Sequence, residues 1–138
     1  MKVAVVYWSQ TGNTEAMANK VAEGARAAGA EVDLLTAAEF TSVDAYDAIA
    51  FGCPAMGSEE LEGDEFEPMF TATEPKLANK KVGLFGSYGW GDGTWMREWE
   101  ADCGKKSISL CAESVTCNET PSDADEENCR ALGAVLAG

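Results

Sequence analysis

Apolar and polar positions along the chain follow two different repeat lengths. Short runs that are continuously apolar, or that alternate strictly, are typical of β-strands. They predict five strands, at residues 2–7, 31–36, 46–53, 80–87 and 107–117. Between them, apolar residues recur three or four positions apart, as expected for helices packed on a core. This spacing predicts helices at residues 14–28, 66–72, 93–103 and 123–137.

Strands and helices alternate along the whole chain, which predicts a parallel sheet with helices on both faces, a doubly wound α/β fold. The 138 residues contain no low-complexity segment, internal repeat or proline- and serine-rich linker. We therefore expect one domain over residues 1–138. In such folds ligands bind outside the carboxyl ends of the strands, where the strand order reverses. The loops after the first, third and fourth strands should converge there.

The loop after the first strand has the composition of an anion site. It precedes a helix, and a helix N-terminus presents unpaired backbone N–H groups and a partial positive charge. Glycine lets an anion approach the backbone closely, while hydroxyl and amide side chains add donors. The loop consists of Ser9, Gln10, Thr11, Gly12, Asn13 and Thr14.

Two familiar nucleotide-binding loops do not match this segment. It has no lysine, unlike the GxxxxGK[ST] loop that reaches the outer phosphates of a nucleotide, and it lacks the GxGxxG pattern of dinucleotide-binding turns. A terminal monophosphate held by neutral dipoles fits the composition best. The alternative is an ordinary turn in which serine, threonine and asparagine side chains cap the helix.

Two further loops have a composition suited to a flat ligand. Residues 86–93 read GSYGWGDG, where glycines let backbone amides approach a planar ring and Trp90 is the candidate aromatic cover. Residues 53–62 read CPAMGSEELE, where the polarizable Met56 is suited to the other ring face and Gly57 follows it. Together these loops predict a sandwich around a planar heterocycle. Taken singly, Trp90 and Met56 are more often core residues, and Gly57 is more often a simple turn.

The chain is strongly acidic, with 24 carboxylates against 10 basic residues and a formal net charge of −14. Such a charge repels phosphate backbones, which argues against nucleic acid as a partner. It either serves solubility alone or steers a partner that has a basic docking patch. The carboxylates after the third strand form either a solvated loop or an acidic rim beside the ligand: Glu59, Glu60, Glu62, Asp64, Glu65 and Glu67.

The spacing of the cysteines and the lack of long apolar stretches argue against metal-binding, disulfide-rich and membrane proteins. The five cysteines form no CxxC pair and the chain has no histidine, so we expect reduced, buried thiols and no metal site. No stretch approaches the roughly 20 apolar residues of a membrane span, and the first residues lack a secretion signal. These features predict a cytoplasmic protein that does not bind membranes.

Three motifs resemble the cofactor loops of flavodoxins, in that family's order and spacing. They are YWSQTGNTEAMA, GCPAMGSEELE with FEP shortly after it, and KKVGLFGSYGWGDGTWM. The whole chain is similar to the short-chain flavodoxins of anaerobic bacteria. This resemblance implies a flavodoxin-like five-stranded sheet of order 2-1-3-4-5 and noncovalently bound FMN. Flavodoxins are among the proteins on which the rule for ligand binding at the carboxyl ends of the strands is based. The location of the site is therefore not predicted independently of this resemblance.

The resemblance also implies roles for individual residues at the phosphate and at the ring faces. Residues 9–14 would cradle the FMN phosphate, with Ser87 nearby. Met56 and Trp90 would pack on opposite faces of the isoalloxazine ring. Further positions of the same loops are implied to contact the cofactor: Pro54, Ala55, Ser58 and Tyr88.

Other implied roles concern the edge of the ring and the ribityl chain. The amides of Gly89 and Gly91 would face the pyrimidine edge, and Glu59 would accept a hydrogen bond from flavin N3–H. The carbonyl of Gly57 would meet N5 when that atom becomes protonated. Asn118, after the fifth strand, would contact the ribityl chain.

The resemblance implies an electron carrier that stands in for ferredoxin and is not an enzyme. A carbonyl facing N5–H would stabilise a neutral semiquinone. A second electron would add negative charge beside a −14 protein, so the second reduction potential should be strongly negative. Expected partners have basic docking surfaces and include ferredoxin or flavodoxin reductases, pyruvate oxidoreductase and hydrogenase. The protein itself is most simply a monomer.

Two other classes of protein share this kind of fold. An FMN-dependent NAD(P)H reductase acting on quinones or nitro compounds usually carries extra loops, and this chain has little spare length. A receiver domain of signalling systems requires clustered aspartates after the first strand, where this chain has Tyr7, Trp8 and Ser9. The electron carrier is therefore the preferred interpretation, and the reductase is the alternative.

Overall fold

The computed structural model describes residues 1–56, 60–89, 91 and 93–138. In this part of the chain the strands are β1 (Lys2–Tyr7), β2 (Glu31–Thr36), β3 (Ala48–Gly52), β4 (Lys81–Tyr88) and β5 (Val115–Asn118). The helices are α1 (Asn13–Ala27), α2 (Phe66–Thr73), α3 (Thr94–Lys105) and α4 (Asp123–Ala137), with a short 3₁₀ turn at Glu74–Lys76. None of the helices described is long and apolar enough to cross a bilayer.

The strands form one parallel sheet in the order β2-β1-β3-β4-β5, which confirms the predicted fold class and strand order. β1 pairs with β2 on one side and with β3 on the other, so the direction of strand addition reverses after β2. The segments that leave β1 and β3 therefore emerge side by side. They continue into helices on opposite faces of the sheet, which opens a crevice between them.

The central strands are buried on both faces, which explains their continuously apolar sequences. In β1, Ala4 and Val6 join the core beneath α2 and α3, whereas Val3 and Val5 join the core beneath α1 and α4. All four side chains are fully buried. Since helices cover both faces, the carboxyl ends of the strands are left as an accessible edge.

The prediction of a strand over residues 107–117 was wrong for most of its length. On this side of β4 the continuous pairing begins only at Val115, the first residue of β5, and Leu110 makes an isolated bridge to Val82. Ser107 has a left-handed φ of 61°, and its N–H donates to a carbonyl in the last turn of α3. The chain is therefore still turning where the alternating pattern begins. Leu110 packs on the core from this connecting segment.

Helices α1 and α4 touch backbone to backbone. A Cβ added to Gly133 would collide with the Val21 carbonyl oxygen and lie 2.7 Å from the Ala25 nitrogen. A Cβ added to Gly24 would collide with the Arg130 carbonyl. The missing side chains at these two positions set the distance between the helices.

We expect Gly133→Ala to lower the free energy of unfolding by about 2 kcal/mol, because the two helices would have to separate. Gly104→Ala in α3 is the matched control, since an added Cβ there meets nothing within 4 Å. That substitution should be neutral or stabilise by up to about 1 kcal/mol. Urea unfolding followed by circular dichroism measures both, and equal effects would contradict the close helix contact.

Candidate functional site

A cavity of about 370 Å³ opens at the carboxyl ends of β1, β3 and β4. Described parts of the three loops predicted to converge here do so. We call the connections after β1, β3 and β4 the first loop (residues 9–14), the second loop (residues 53–65) and the third loop (residues 89–93). The described lining residues of the cavity are Ser9, Gln10, Thr11, Asn13, Thr14, Pro54, Ala55, Met56, Ser87, Tyr88, Gly89, Glu119 and Thr120. The open edge of the sheet is thus where eleven of the predicted site residues come together, whereas the predicted contacts Gly12, Gly91 and Asn118 are not among the lining residues.

The first loop leaves backbone donors free at the start of α1. Gly12 is the N-cap residue, with a φ of 96°, and no side chain caps the helix. The Ser9 hydroxyl accepts from the N–H groups of Gly12 and Glu15, both at 3.2 Å. In the described part of the chain, the N–H groups of Asn13 and Thr14 have no hydrogen-bond partner. Ser9 therefore organises the turn, and two amides remain available to an anion.

Two buried hydroxyls join the first loop to β4. Thr14 Oγ1 and Ser87 Oγ lie 2.9 Å apart, and the side chains are 1% and 5% exposed. The backbone N–H of Ser87 also points at Thr14 Oγ1, at 3.4 Å. Because both residues line the cavity, this pair adds polar groups beside the free amides of α1.

The second loop brings Met56 to the cavity wall. Met56 is half-buried and exchanges two backbone hydrogen bonds with Glu60, at 2.9 and 3.0 Å. The predicted contacts of Gly57, Ser58 and Glu59 lie outside the described residues.

Tyr88, the last residue of β4, and Gly89, the first residue of the third loop, lie on the cavity wall. The Tyr88 ring packs against Trp95, with ring centroids 5.5 Å apart. Gly91 is exposed and has a left-handed φ of 88°. The predicted role of Trp90 falls outside the described residues, so the aromatic cover stays a prediction.

The segment after β5 contributes two residues that sequence reasoning missed, Glu119 and Thr120. Glu119 adopts a φ of 58°, and its N–H donates to the Tyr88 carbonyl at 2.8 Å. The predicted residue Asn118 is exposed, and its side-chain amide donates to that same carbonyl at 3.4 Å. The sequence feature that could have identified Glu119 and Thr120 is their position directly after the carboxyl end of a strand, where ligands bind in folds of this kind.

Glu62 lies in the interior, so its assignment to an exposed acidic rim was wrong. It is 6% exposed, and its carboxylate accepts from the backbone N–H groups of Asp64, Glu65 and Phe66 at 2.7–2.8 Å. Burial raises the pKa of Glu62, but these three donors outweigh it and hold the pKa below its usual value. Glu62 thus closes the second loop at the start of α2. The other described carboxylates of the predicted rim are exposed: Glu60, Asp64, Glu65 and Glu67.

None of the five cysteines is among the described residues that line the cavity. All five are free, and four are buried. Burial raises the thiol pKa to about 12 at each of the buried ones: Cys53, Cys103, Cys117 and Cys129. Thiols of this kind stay protonated and unreactive. No group of three or more potential metal ligands occurs among the residues described here.

The cavity suits a ligand with an anionic end and a flat, uncharged body. Free amides and hydroxyls gather at the start of α1, while Met56 and Tyr88 supply apolar surface. Of the described lining residues only Glu119 is charged, so an anion would be held by dipoles and not by an ammonium or guanidinium group. These residues fit the phosphate and the ring system of FMN.

We expect Glu62→Gln to lower the free energy of unfolding at neutral pH by about 1–3 kcal/mol, because an amide cannot accept from all three N–H groups. Glu67→Gln, on the exposed side of α2, should change it by less than about 0.5 kcal/mol.

The pH dependence gives a second test of Glu62. Because its folded pKa is lowered, its contribution is complete above the usual glutamate pKa and is lost as pH falls through the folded value. Urea midpoints between neutral and strongly acidic pH should fall less steeply in Glu62→Gln than in the wild type. Parallel profiles would contradict this role.

The chain is similar to known flavodoxins over nearly its whole length. The sequence model of the family described as Flavodoxin matches residues 5–133. The flavodoxin of Megasphaera elsdenii is 49% identical over 138 residues, covering 98% of each chain. That of Clostridium beijerinckii is 39% identical over 136 residues, covering 96% of this chain and 97% of the relative. The solution structure of two-electron reduced Megasphaera elsdenii flavodoxin matches with a TM-score of 0.87 at 48% identity, covering 98% of both chains. This chain therefore belongs to the flavodoxin family of FMN-binding electron-transfer proteins.

Proposed function

We propose that this protein, as one domain over residues 1–138, carries single electrons at low potential between redox enzymes in place of ferredoxin. The observation that carries the proposal is the cavity at the strand ends, where uncharged donors face the expected phosphate position. Among the described residues that line it, none carries a positive side chain to balance negative charge added to a bound flavin. The surrounding protein, with a net charge of −14, disfavours that charge further.

We also propose the roles of the site residues. The free N–H groups of Asn13 and Thr14 and the hydroxyls of Thr14 and Ser87 support a phosphate position at the first loop. The place of Met56 on the cavity wall supports its packing on one ring face. The roles of other predicted contacts rest on the resemblance: Gly57, Ser58, Glu59, Gly89, Trp90, Gly91 and Asn118.

The proposed partners are redox proteins with basic docking surfaces, such as ferredoxin or flavodoxin reductases, pyruvate oxidoreductase and hydrogenase. In support, Glu60 and Asp64 of the second loop and Glu67 of α2 are exposed, without a cationic partner among the described residues. Exposed charges of one sign accelerate encounters with a partner of the opposite sign. We propose a monomer, and the five free cysteines favour a reducing compartment such as the cytoplasm.

The alternative, direct oxidation of NAD(P)H by the bound flavin, is not favoured. A reductase would bleach the flavin when NADPH alone is added. The proposed carrier should stay yellow until a reductase is supplied.

A potentiometric titration of the FMN-loaded protein tests the proposed function. We expect two separate one-electron steps whose potentials differ by more than about 120 mV, equivalent to about 2.8 kcal/mol of selective destabilisation of the second step. The second step should have the more negative potential, because it adds negative charge to a protein of net charge −14, at a cavity whose described lining has no basic side chain. One two-electron step would refute the carrier and favour a two-electron flavoenzyme.

Comparing FMN with riboflavin, which has no phosphate, tests the phosphate position. Thr14→Val keeps the volume of the buried side chain and removes its hydroxyl, so FMN affinity should fall about tenfold. Riboflavin affinity should change less than about twofold. Thr116→Val on β5 is a control away from the cavity. Equal losses for both ligands in Thr14→Val, measured by flavin fluorescence, would disprove the assignment.

A further inference from the structure

We propose that the hydrogen bond between Trp8 and Glu65 is a clasp that couples the two halves of the FMN site. Trp8 Nε1 donates to Glu65 Oε1 at 2.9 Å. Trp8 directly precedes the first loop, and Glu65 ends the second loop. Neither side chain lines the cofactor cavity, so both are positioning residues that act through the loops. The inference rests on the function proposed above, in which the first loop holds phosphate and the second loop meets the flavin ring.

The first loop needs such support because it has open space on both sides. Ser9, Gln10 and Thr11 line the cofactor cavity, and they also line a second cavity of about 480 Å³ behind the loop. Trp8 and Glu65 both line this second cavity. A loop without packed side chains behind it depends on its hydrogen bonds for a defined position.

Other hydrogen bonds hold the first loop within its own β1–α1 unit and, through Thr14 and Ser87, to β4. The Ser9 hydroxyl accepts from N–H groups of the turn, and the Tyr7 hydroxyl donates to Glu15 of α1 at 3.0 Å. The backbone N–H of Trp8 reaches the end of β3, at the Gly52 carbonyl. Within the described residues, the clasp is the side-chain hydrogen bond that ties this unit to the far end of the second loop.

The second loop is internally connected, so a displacement at Glu65 reaches the cavity wall. The Glu65 N–H donates to the Glu62 carboxylate at 2.7 Å, and the Glu62 N–H donates to Cys53 Sγ at 3.3 Å. Met56 pairs with Glu60 within the same loop. An anion that binds the first loop fixes the position of that loop. Through the clasp it therefore also fixes the position of the second loop, whose Met56 is proposed to pack on the flavin ring. Phosphate and ring binding should reinforce each other.

Riboflavin and inorganic phosphate are the probes, because together they present the two halves of FMN separately. Riboflavin is titrated into the full-length apoprotein with and without saturating inorganic phosphate, and flavin fluorescence reports its affinity. In the wild type we expect phosphate to tighten riboflavin binding about fivefold. Circular dichroism of each apoprotein checks that the variants fold.

Substitutions on both sides of the clasp should abolish this coupling. In Glu65→Ala and Trp8→Phe the tightening should fall below about twofold, and the double variant should be no worse than either single variant. Glu65→Gln should keep the wild-type coupling, since its amide oxygen can still accept from the indole N–H. Tyr7→Phe is the matched control: it removes a hydrogen bond to a carboxylate in the same second cavity, but one that stays within the β1–α1 unit.

Several results would overturn the clasp. It fails if phosphate does not tighten riboflavin binding in the wild type, if Glu65→Ala keeps the coupling, or if Tyr7→Phe loses it equally. Loss of coupling in Glu65→Gln would indicate that the negative charge of Glu65 is what couples the two loops. That result would also overturn the hydrogen-bond explanation. In each of these cases two separate one-electron steps in the FMN-loaded protein would leave the proposed function standing. If the FMN-loaded protein did not show two separate one-electron steps, the proposed function would be refuted instead.

Discussion

The site depends on a constraint at the start of α1: backbone N–H groups must remain without protein partners. Most helices satisfy these donors with a capping side chain. Here the N-cap is Gly12, which has no side chain, and Ser9 binds only the N–H groups of Gly12 and Glu15. Asn13 and Thr14 therefore keep their donors for a ligand. Gly12 also adopts a left-handed conformation that costs other residues strain.

Acidic residues serve two opposite purposes around this site. Inside the protein, Glu62 is compensated by three backbone donors and acts as a structural acceptor that shapes the second loop. Outside, carboxylates such as Glu60 and Glu67 carry no compensating cation among the described residues, and they contribute to the field that a partner and a bound flavin experience. The amino-acid composition does not distinguish buried from exposed carboxylates, although burial gives them different roles.

The proposed phosphate site, made of neutral dipoles, suits a strongly acidic electron carrier. A lysine in the first loop would bind phosphate more strongly, but it would also stabilise negative charge on the flavin. Dipoles of α1 act over a short distance, within the first turn of the helix. The phosphate can thus be held firmly while the electrostatics at the ring are left to the acidic surroundings.

The sequence by itself determined the fold class and the general place of the site, because both follow from short-range patterns. Residues 3–6 are apolar throughout since β1 is covered on both faces, and the composition of residues 9–14 predicts an anion site at the strand end. The alternating run at 107–117 was misleading, because a connecting segment can bury the same alternate residues without pairing as a strand.

Only the tertiary structure decided the parts that depend on contacts distant in sequence. The clasp between Trp8 and Glu65 arises when the segments after β1 and β3 are brought together at the reversal of strand order. Glu62 is buried where the second loop folds back between Cys53 and the start of α2. Glu119 and Thr120 reach the cavity because β5 pairs with β4 over its last residues. Local patterns record which residues favour a strand, a turn or a helix start. They do not record which side chains meet once the sheet has formed, since that is set by register and packing.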